Sequence, residues 1–407
     1  MSFIRFCGPP LVTALLLVAC GGGGDVSPTA ERADAQVARR TFNAVVSFGD
    51  SLSDAGTYAP ATLIPGSNPP FYLGGKFTTN SATSTIWVEN IAARLGLSIT
   101  PAEVGFAGQS VRCPSAQQGK DDNCTAYGQG GARVTSPDGI RHDKGALTVP
   151  IKTQIANHLE RFHRFKPGDL ILLWAGANDL LWEVETDPTR NPNSFVIRLF
   201  TIQAQLEAGA ITPAEAQAQI VDAQLASQAA MRTAALEMAS YIRNDILAKG
   251  GRYVVVLNLP DPATTPEGAA ISAQAPIVGA AMTAFSDAFN GGLRDGLKGL
   301  AVQTIDIRRF IGDVVAAPAA HGMANASVPA CDAALMAQIT GGTVTDGFSL
   351  FCNATPDPRV YGLRAGADVD SWFFADGNHP TTGGYRLISD EVLRQLRALG
   401  WLREVDQ

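Results

Sequence analysis

Four short apolar runs, separated by long stretches of helical periodicity, constrain this chain more than any other feature. They are Phe42–Phe48, Leu170–Trp174, Tyr253–Leu257 and Ala301–Ile307. Runs that are apolar without strict alternation suit strands covered on both faces. The helical segments between them are Thr85–Leu95, Leu147–Phe162, a long stretch from Ser194 to Leu247, and Gly279–Leu297, with a final helix expected over Thr382–Leu399. Strands alternating with helices lead to a parallel sheet, so the expected fold class is α/β: a three-layer α/β/α domain around a central parallel sheet. A chain of 407 residues that is 46% hydrophobic and 17% charged can bury such a core.

The N-terminus reads differently. Arg5 is the one basic residue of the first 19, an apolar run follows from Leu11 to Ala19, and Cys20 precedes Gly21–Gly24. That run is short for a bilayer span, which takes roughly 20 residues, and fits the apolar region of a signal peptide over 1–19. Leu17-Val18-Ala19-Cys20 resembles a bacterial lipobox, which implies that Cys20 is acylated and anchors the mature protein, with Gly21 favouring the outer membrane. The alternative is an ordinary signal peptide and a secreted protein. Residues 20–40 lack apolar periodicity and read as a flexible tether, with the domain proper spanning 41–407.

An exported chain meets an oxidising compartment, where Cys113, Cys124, Cys331 and Cys352 can pair. Three pairings exist, and the local one, Cys113–Cys124 with Cys331–Cys352, is favoured because it closes short loops, each stabilising by roughly 3 kcal/mol. Within Ser194–Leu247, Thr212-Pro213-Ala214-Glu215 is a helix-start signal that splits the stretch into a helical hairpin. Residues 313–368 show little periodicity and read as a long surface insertion pinned by a disulfide.

Chemistry concentrates where the first strand ends, in Gly49-Asp50-Ser51-Leu52-Ser53-Asp54. A serine at the C-terminal edge of a parallel strand stands at the rim where open α/β sheets place their sites. Taken alone, Ser51 with Asp54 also fits an S-x-x-D capping box. Far along the chain lies Asp376-Gly377-Asn378-His379-Pro380, where His379 sits in a turn three residues after a carboxylate. A serine nucleophile needs a neutral base and a carboxylate to orient it, and His379 with Asp376 supplies both, although the aspartate also reads as a cap for the last helix. Gly128-Gln129-Gly130-Gly131-Ala132 and Gly176-Ala177-Asn178-Asp179 read equally as turns and as donors to an oxyanion.

In this order the four blocks resemble those of the SGNH/GDSL hydrolases, and the likeness covers most of residues 42–400. It extends to Gly75-Lys76-Phe77-Thr78-Thr79-Asn80 with Trp87-Val88-Glu89, and to Asn258-Leu259-Pro260-Asp261, which are similar to segments of the bacterial lipase and phospholipase branch. The resemblance implies a flavodoxin-like SGNH fold and a serine carboxylic-ester hydrolase (esterase or lipase). Ser51, His379 and Asp376 are then the triad, and the Ser51 amide, Gly130 and Asn178 the oxyanion hole. Gly131 competes with Gly130, and Gly130 is preferred. Neither metal nor organic cofactor is required by that chemistry. The expected partner is an ester substrate, with a lipid among the options, alongside a membrane reached through acylated Cys20.

Other readings carry less weight. A carbohydrate O-acetyl esterase or an envelope acyltransferase fits the same blocks, and a non-catalytic surface-binding lipoprotein is the alternative of another class. The 28 residues after His379 leave no length for an autotransporter barrel. Net charge is −7 without a basic run, so nucleic acid is not an expected partner. Pro70 stands where a P-loop ending in Gly75-Lys76 requires glycine, and nucleotide binding has no support. His158 and His163 lie five apart, which is not ligand spacing on a helix. Asp121-Asp122-Asn123 reads as a solvated turn and not a calcium loop. Trp174 and Trp182 read as core or pocket wall.

Overall fold

The computed structural model describes residues 42–63, 74–117 and 123–402, all within one compact unit. The expected signal segment, Cys20 and its tether, and Asp121 with Asp122, lie outside the described residues. The strands are β1 (Ala44–Gly49), β2 (Glu103–Phe106), β3 (Gln109–Arg112), β4 (Asp169–Trp174), β5 (Tyr253–Leu257) and β6 (Gln303–Ile305). The helices are α1 (Trp87–Arg94), α2 (Pro114–Gln117), α3 (Ile151–Phe162), α4 (Ala177–Glu183), α5 (Phe195–Glu207), α6 (Pro213–Tyr241), α7 (Pro266–Gln274), α8 (Pro276–Leu297), α9 (Ile307–Ala316), α10 (Ala333–Ile339) and α11 (Thr382–Ala398).

All four expected strands form, in the order β1-β4-β5-β6, and each pairs in parallel with its neighbour. Successive residues of a strand point to opposite faces, so a strand apolar throughout must be covered twice. Leu170, Leu172 and Trp174 of β4 pack with Trp87 and Ile91 of α1, Ile311 of α9, and Tyr385 and Ile388 of α11. Ile171 and Leu173 pack with Ile155 of α3, Met231 and Met238 of α6, and Phe285 and Phe289 of α8. These two cores make the three-layer α/β/α arrangement.

The hairpin read from Thr212 is present as α5 and α6. Thr212 Oγ1 accepts from the Glu215 amide at 3.2 Å while the Glu215 carboxylate accepts from the Thr212 amide at 2.7 Å, a reciprocal cap. Both disulfides have the local pairing, Cys113–Cys124 and Cys331–Cys352, which belongs to an extracellular or periplasmic setting. Among the described residues no helix is long and apolar enough to cross a membrane.

The region expected as a surface insertion over 313–368 differs in character. It begins inside α9, carries α10, and encloses its own buried cluster of Ala330, Cys331, Met336, Val344, Cys352 and Leu363, completed by Ala375. Its apolar residues recur at no fixed period because they converge from loops, so they left no helical or strand signature.

Candidate active site

β1 ends on Gly49, and nothing larger fits there: a Cβ would lie 2.5 Å from the Trp174 carbonyl oxygen on β4. Gln154 of α3 pins the same residue, its Oε1 accepting from the Gly49 amide at 3.0 Å and its Nε2 donating to the Gly49 carbonyl at 2.8 Å. The chain then turns through a short 3-10 helix, Ser51–Ser53, capped by Asp50, whose Oδ1 accepts from the Leu52 amide at 3.0 Å. Ser51 is therefore not the cap, and its hydroxyl is turned to another partner: Oγ lies 2.9 Å from His379 Nε2.

The other nitrogen of that imidazole, Nδ1, sits 2.9 and 2.8 Å from the two carboxylate oxygens of Asp376. An ionised carboxylate can only accept, so Nδ1 carries the proton and Nε2 faces Ser51 with its lone pair. Asp376 also accepts from the Asn378 amide at 2.9 Å and the His379 amide at 2.7 Å through Oδ1, and from the Ser349 amide at 2.9 Å through Oδ2. Burial opposes its ionisation, but the His379 charge and these hydrogen bonds outweigh burial and hold Asp376 below the usual carboxylate range. Burial likewise pulls His379 down, and the Asp376 charge and hydrogen bond pull it further up, leaving it above an ordinary imidazole. The ring packs on Phe77, centroid to centroid 5.1 Å, and Phe348 stands 6.2 Å away.

The turn bearing Asp376 and His379 is braced by the start of α7. The Glu267 amide donates to the Gly377 carbonyl at 3.0 Å, Thr265 Oγ1 donates to Asn378 Oδ1 at 3.0 Å, and the Asn378 side-chain amide donates to the Glu267 carboxylate. Asp50, one residue before the serine, is fully buried, and burial pushes its pKa up to about 7.

The two middle blocks join at the same sheet edge. Asn178, buried at the start of α4, donates from Nδ2 to the Ala132 carbonyl at 2.9 Å. Asp179 beside it accepts from the Val134 amide at 2.9 Å and pairs with Arg133 at 3.2 Å, fastening α4 to the glycine block. The expectation that Gly130 offers a free amide is corrected: its N–H donates to Asp54 Oδ2 at 2.8 Å. Asp54 is buried and also accepts from the Gly56 and Thr57 amides at 2.9 and 2.6 Å, so it serves as a clamp on the Gly130 strand of this turn. Among the described residues the next amide, that of Gly131, has no acceptor. Gly131 adopts φ +78°, a left-handed conformation that favours glycine.

The remaining blocks are structural. Lys76 Nζ reaches Glu89 at 2.7 Å, and Glu89 accepts from the Ile86 amide at 2.9 Å, which fixes the start of α1. Asn258 Nδ2 donates to Asp306 Oδ1 at 2.8 Å, and Asp261 pairs with Arg308 at 3.3 Å. Trp174 is fully buried against Trp87 and is core, whereas Trp182 carries the Arg133 guanidinium 4.6 Å above its ring.

Fold and site together define a three-layer α/β/α protein with serine, histidine and aspartate hydrogen-bonded in series at the C-terminal edge of its parallel sheet. The chain belongs to the GDSL-like Lipase/Acylhydrolase family, which it matches over residues 45–392. It is also similar to the phosphatidylcholine-sterol acyltransferase of Aeromonas hydrophila, 29% identical over 179 residues. That match covers 41% of this chain and 42% of the relative, so the likeness spans less than half the length of either.

Proposed function

We propose that the protein is a serine carboxylic-ester hydrolase in which Ser51 attacks the carbonyl carbon while His379 takes the hydroxyl proton and Asp376 holds the imidazole. The tetrahedral oxyanion receives hydrogen bonds from the amides of Ser51 and Gly131 and from the second N–H of Asn178, its first being directed to Ala132. Collapse returns the proton from His379 to the departing alkoxide and leaves an acyl-serine. Water, deprotonated by His379, then releases the acid. The observation that carries this reading is the unbroken series Ser51 Oγ, His379 Nε2, His379 Nδ1 and Asp376, with no step longer than 2.9 Å.

Ser51→Ala tests it. Because Asp50 and not Ser51 caps the turn, the variant should fold with a melting temperature close to wild type, lose nitrophenyl-ester turnover, and fail to react with a serine-directed phosphonate. A folded variant retaining near wild-type turnover rules the reading out.

A second reading is acyl transfer from the same acyl-serine to an alcohol instead of water, favoured by the likeness to the Aeromonas acyltransferase. Supplying a sterol or another lipid alcohol to the acylated enzyme and measuring ester formed against acid released distinguishes transfer from hydrolysis. The substrate class that suits both is an acyl ester of a lipid, met at a membrane to which acylated Cys20 would tether the enzyme.

A further inference from the structure

We infer that Ser349 is a positioning residue for the proposed reaction: its main-chain amide, delivered by the segment closed by Cys331–Cys352, fixes the carboxylate that orients His379. The inference rests on the triad proposed above. Oδ1 of Asp376 is held by its own turn, through the amides of Asn378 and His379. Oδ2 receives its amide from Ser349, 27 residues away. A carboxylate held at one oxygen still rotates about Cβ–Cγ. A second donor on the other oxygen stops that rotation and presents both oxygens to Nδ1.

What brings Ser349 there is a closed circuit. The Cys331 amide donates to the Ala375 carbonyl at 2.8 Å, immediately before Asp376. The disulfide joins Cys331 to Cys352, and the Cys352 amide donates back to the Ser349 carbonyl at 3.0 Å. The Ser349 amide then completes the loop on Asp376. The disulfide thus ties together the two backbone segments that flank the carboxylate. Asn80 fastens the circuit from outside, its Nδ2 lying 3.0 Å from the Ser349 carbonyl oxygen and its amide donating to the Cys352 carbonyl at 2.9 Å. The Ser349 hydroxyl is buried beside the same carboxylate, so the contributions of amide and hydroxyl have to be separated by substitution.

Two substitutions separate amide from side chain. Ser349→Ala keeps the N–H and serves as the reference against which the proline variant is read. Ser349→Pro removes the N–H. Ser349 opens a 3-10 turn and Phe348 before it has φ −55° and ψ 117°, a setting that accepts proline. Its kcat should fall about tenfold to a hundredfold, the range for loss of a hydrogen bond to a charged group, with KM within about twofold. The acid limb of its kcat/KM profile should move to lower pH, because an Asp376 turned away no longer opposes the effect of burial on His379. Reducing the wild-type enzyme should reproduce both changes, and Cys113→Ala/Cys124→Ala should respond to reductant as wild type does.

A proline variant matching Ser349→Ala in melt, kcat and acid limb overturns the inference. If the proline variant does not fold, reduced wild-type enzyme that keeps its melt, kcat and acid limb overturns it equally. Phosphonate labelling distinguishes the two failures: labelling lost in Ser51→Ala with Ser349→Pro unchanged removes the positioning role alone, whereas labelling retained in Ser51→Ala removes the triad.

Discussion

Asn178 has two amide hydrogens, and the Ala132 carbonyl at 2.9 Å takes one. That bond orients the second, which is what a preorganised oxyanion donor requires. Aspartate has nearly the same shape, so a residue that only shaped a turn would tolerate it. In the proposed site Asn178→Asp replaces a donor with a charge facing the developing alkoxide, and kcat should fall by roughly 10²–10³ with a much smaller change in KM. Equal kcat in variant and wild type, with matching melts, takes Asn178 out of the site. Residues of this kind are legible in sequence because Ser, His, Asp and Asn carry their chemistry in the side chain. Amides do not. Gly130 and Gly131 are indistinguishable on paper, and the difference between them lies in Asp54, 76 residues away, which binds the first and leaves the second. Ser349 carries no sequence signature for the same reason, since its proposed contribution is a peptide N–H that any residue but proline would supply.

At the scale of elements, α3 packs a histidine against the sheet. His158 is 2% exposed, stacks on Phe165 at 4.3 Å and meets Phe48, Tyr127 and Phe162, while neither ring nitrogen has a partner. Burial pushes its pKa down to about 4, so the folded protein keeps it neutral. The unfolded chain binds its proton near pH 6.5, hence stability is lost as pH falls from about 6.5 towards 4 and is fully present above that window. His158→Phe should flatten this loss, with wild type losing up to about 1 kcal/mol more than the variant per pH unit within it. Urea melts at pH 7.5 and 5 check this, and parallel losses in both proteins would refute it. The helices and central strands were readable because their apolar residues recur with a period or crowd without interruption. The β2–β3 hairpin was not: β3 is exposed along its whole length, and an exposed strand needs no pattern. The π-helical turn Ile242–Ile246 that ends α6 likewise follows from packing and not from composition.

For the molecule as a whole, the membrane tether is a proposal on residues outside those described, and its test is direct. Cys20→Ser should shift the protein from the membrane to the soluble or unprocessed fraction, and wild type should incorporate labelled fatty acid; unlabelled wild type ends the proposal. The layered fold was evident from the alternation of strands and helices, whereas the packing of 313–368 against the site depended on contacts between loops. Ser51 and His379 are 328 residues apart, with the hydroxyl on the turn that follows the first strand and the imidazole on the turn that leads into the last helix. During synthesis the serine emerges early and has no base until nearly the entire chain has followed and α11 has docked. The growing chain therefore carries a dormant hydroxyl. In the proposed enzyme, hydrolytic competence is acquired only when folding closes the distance between the two ends.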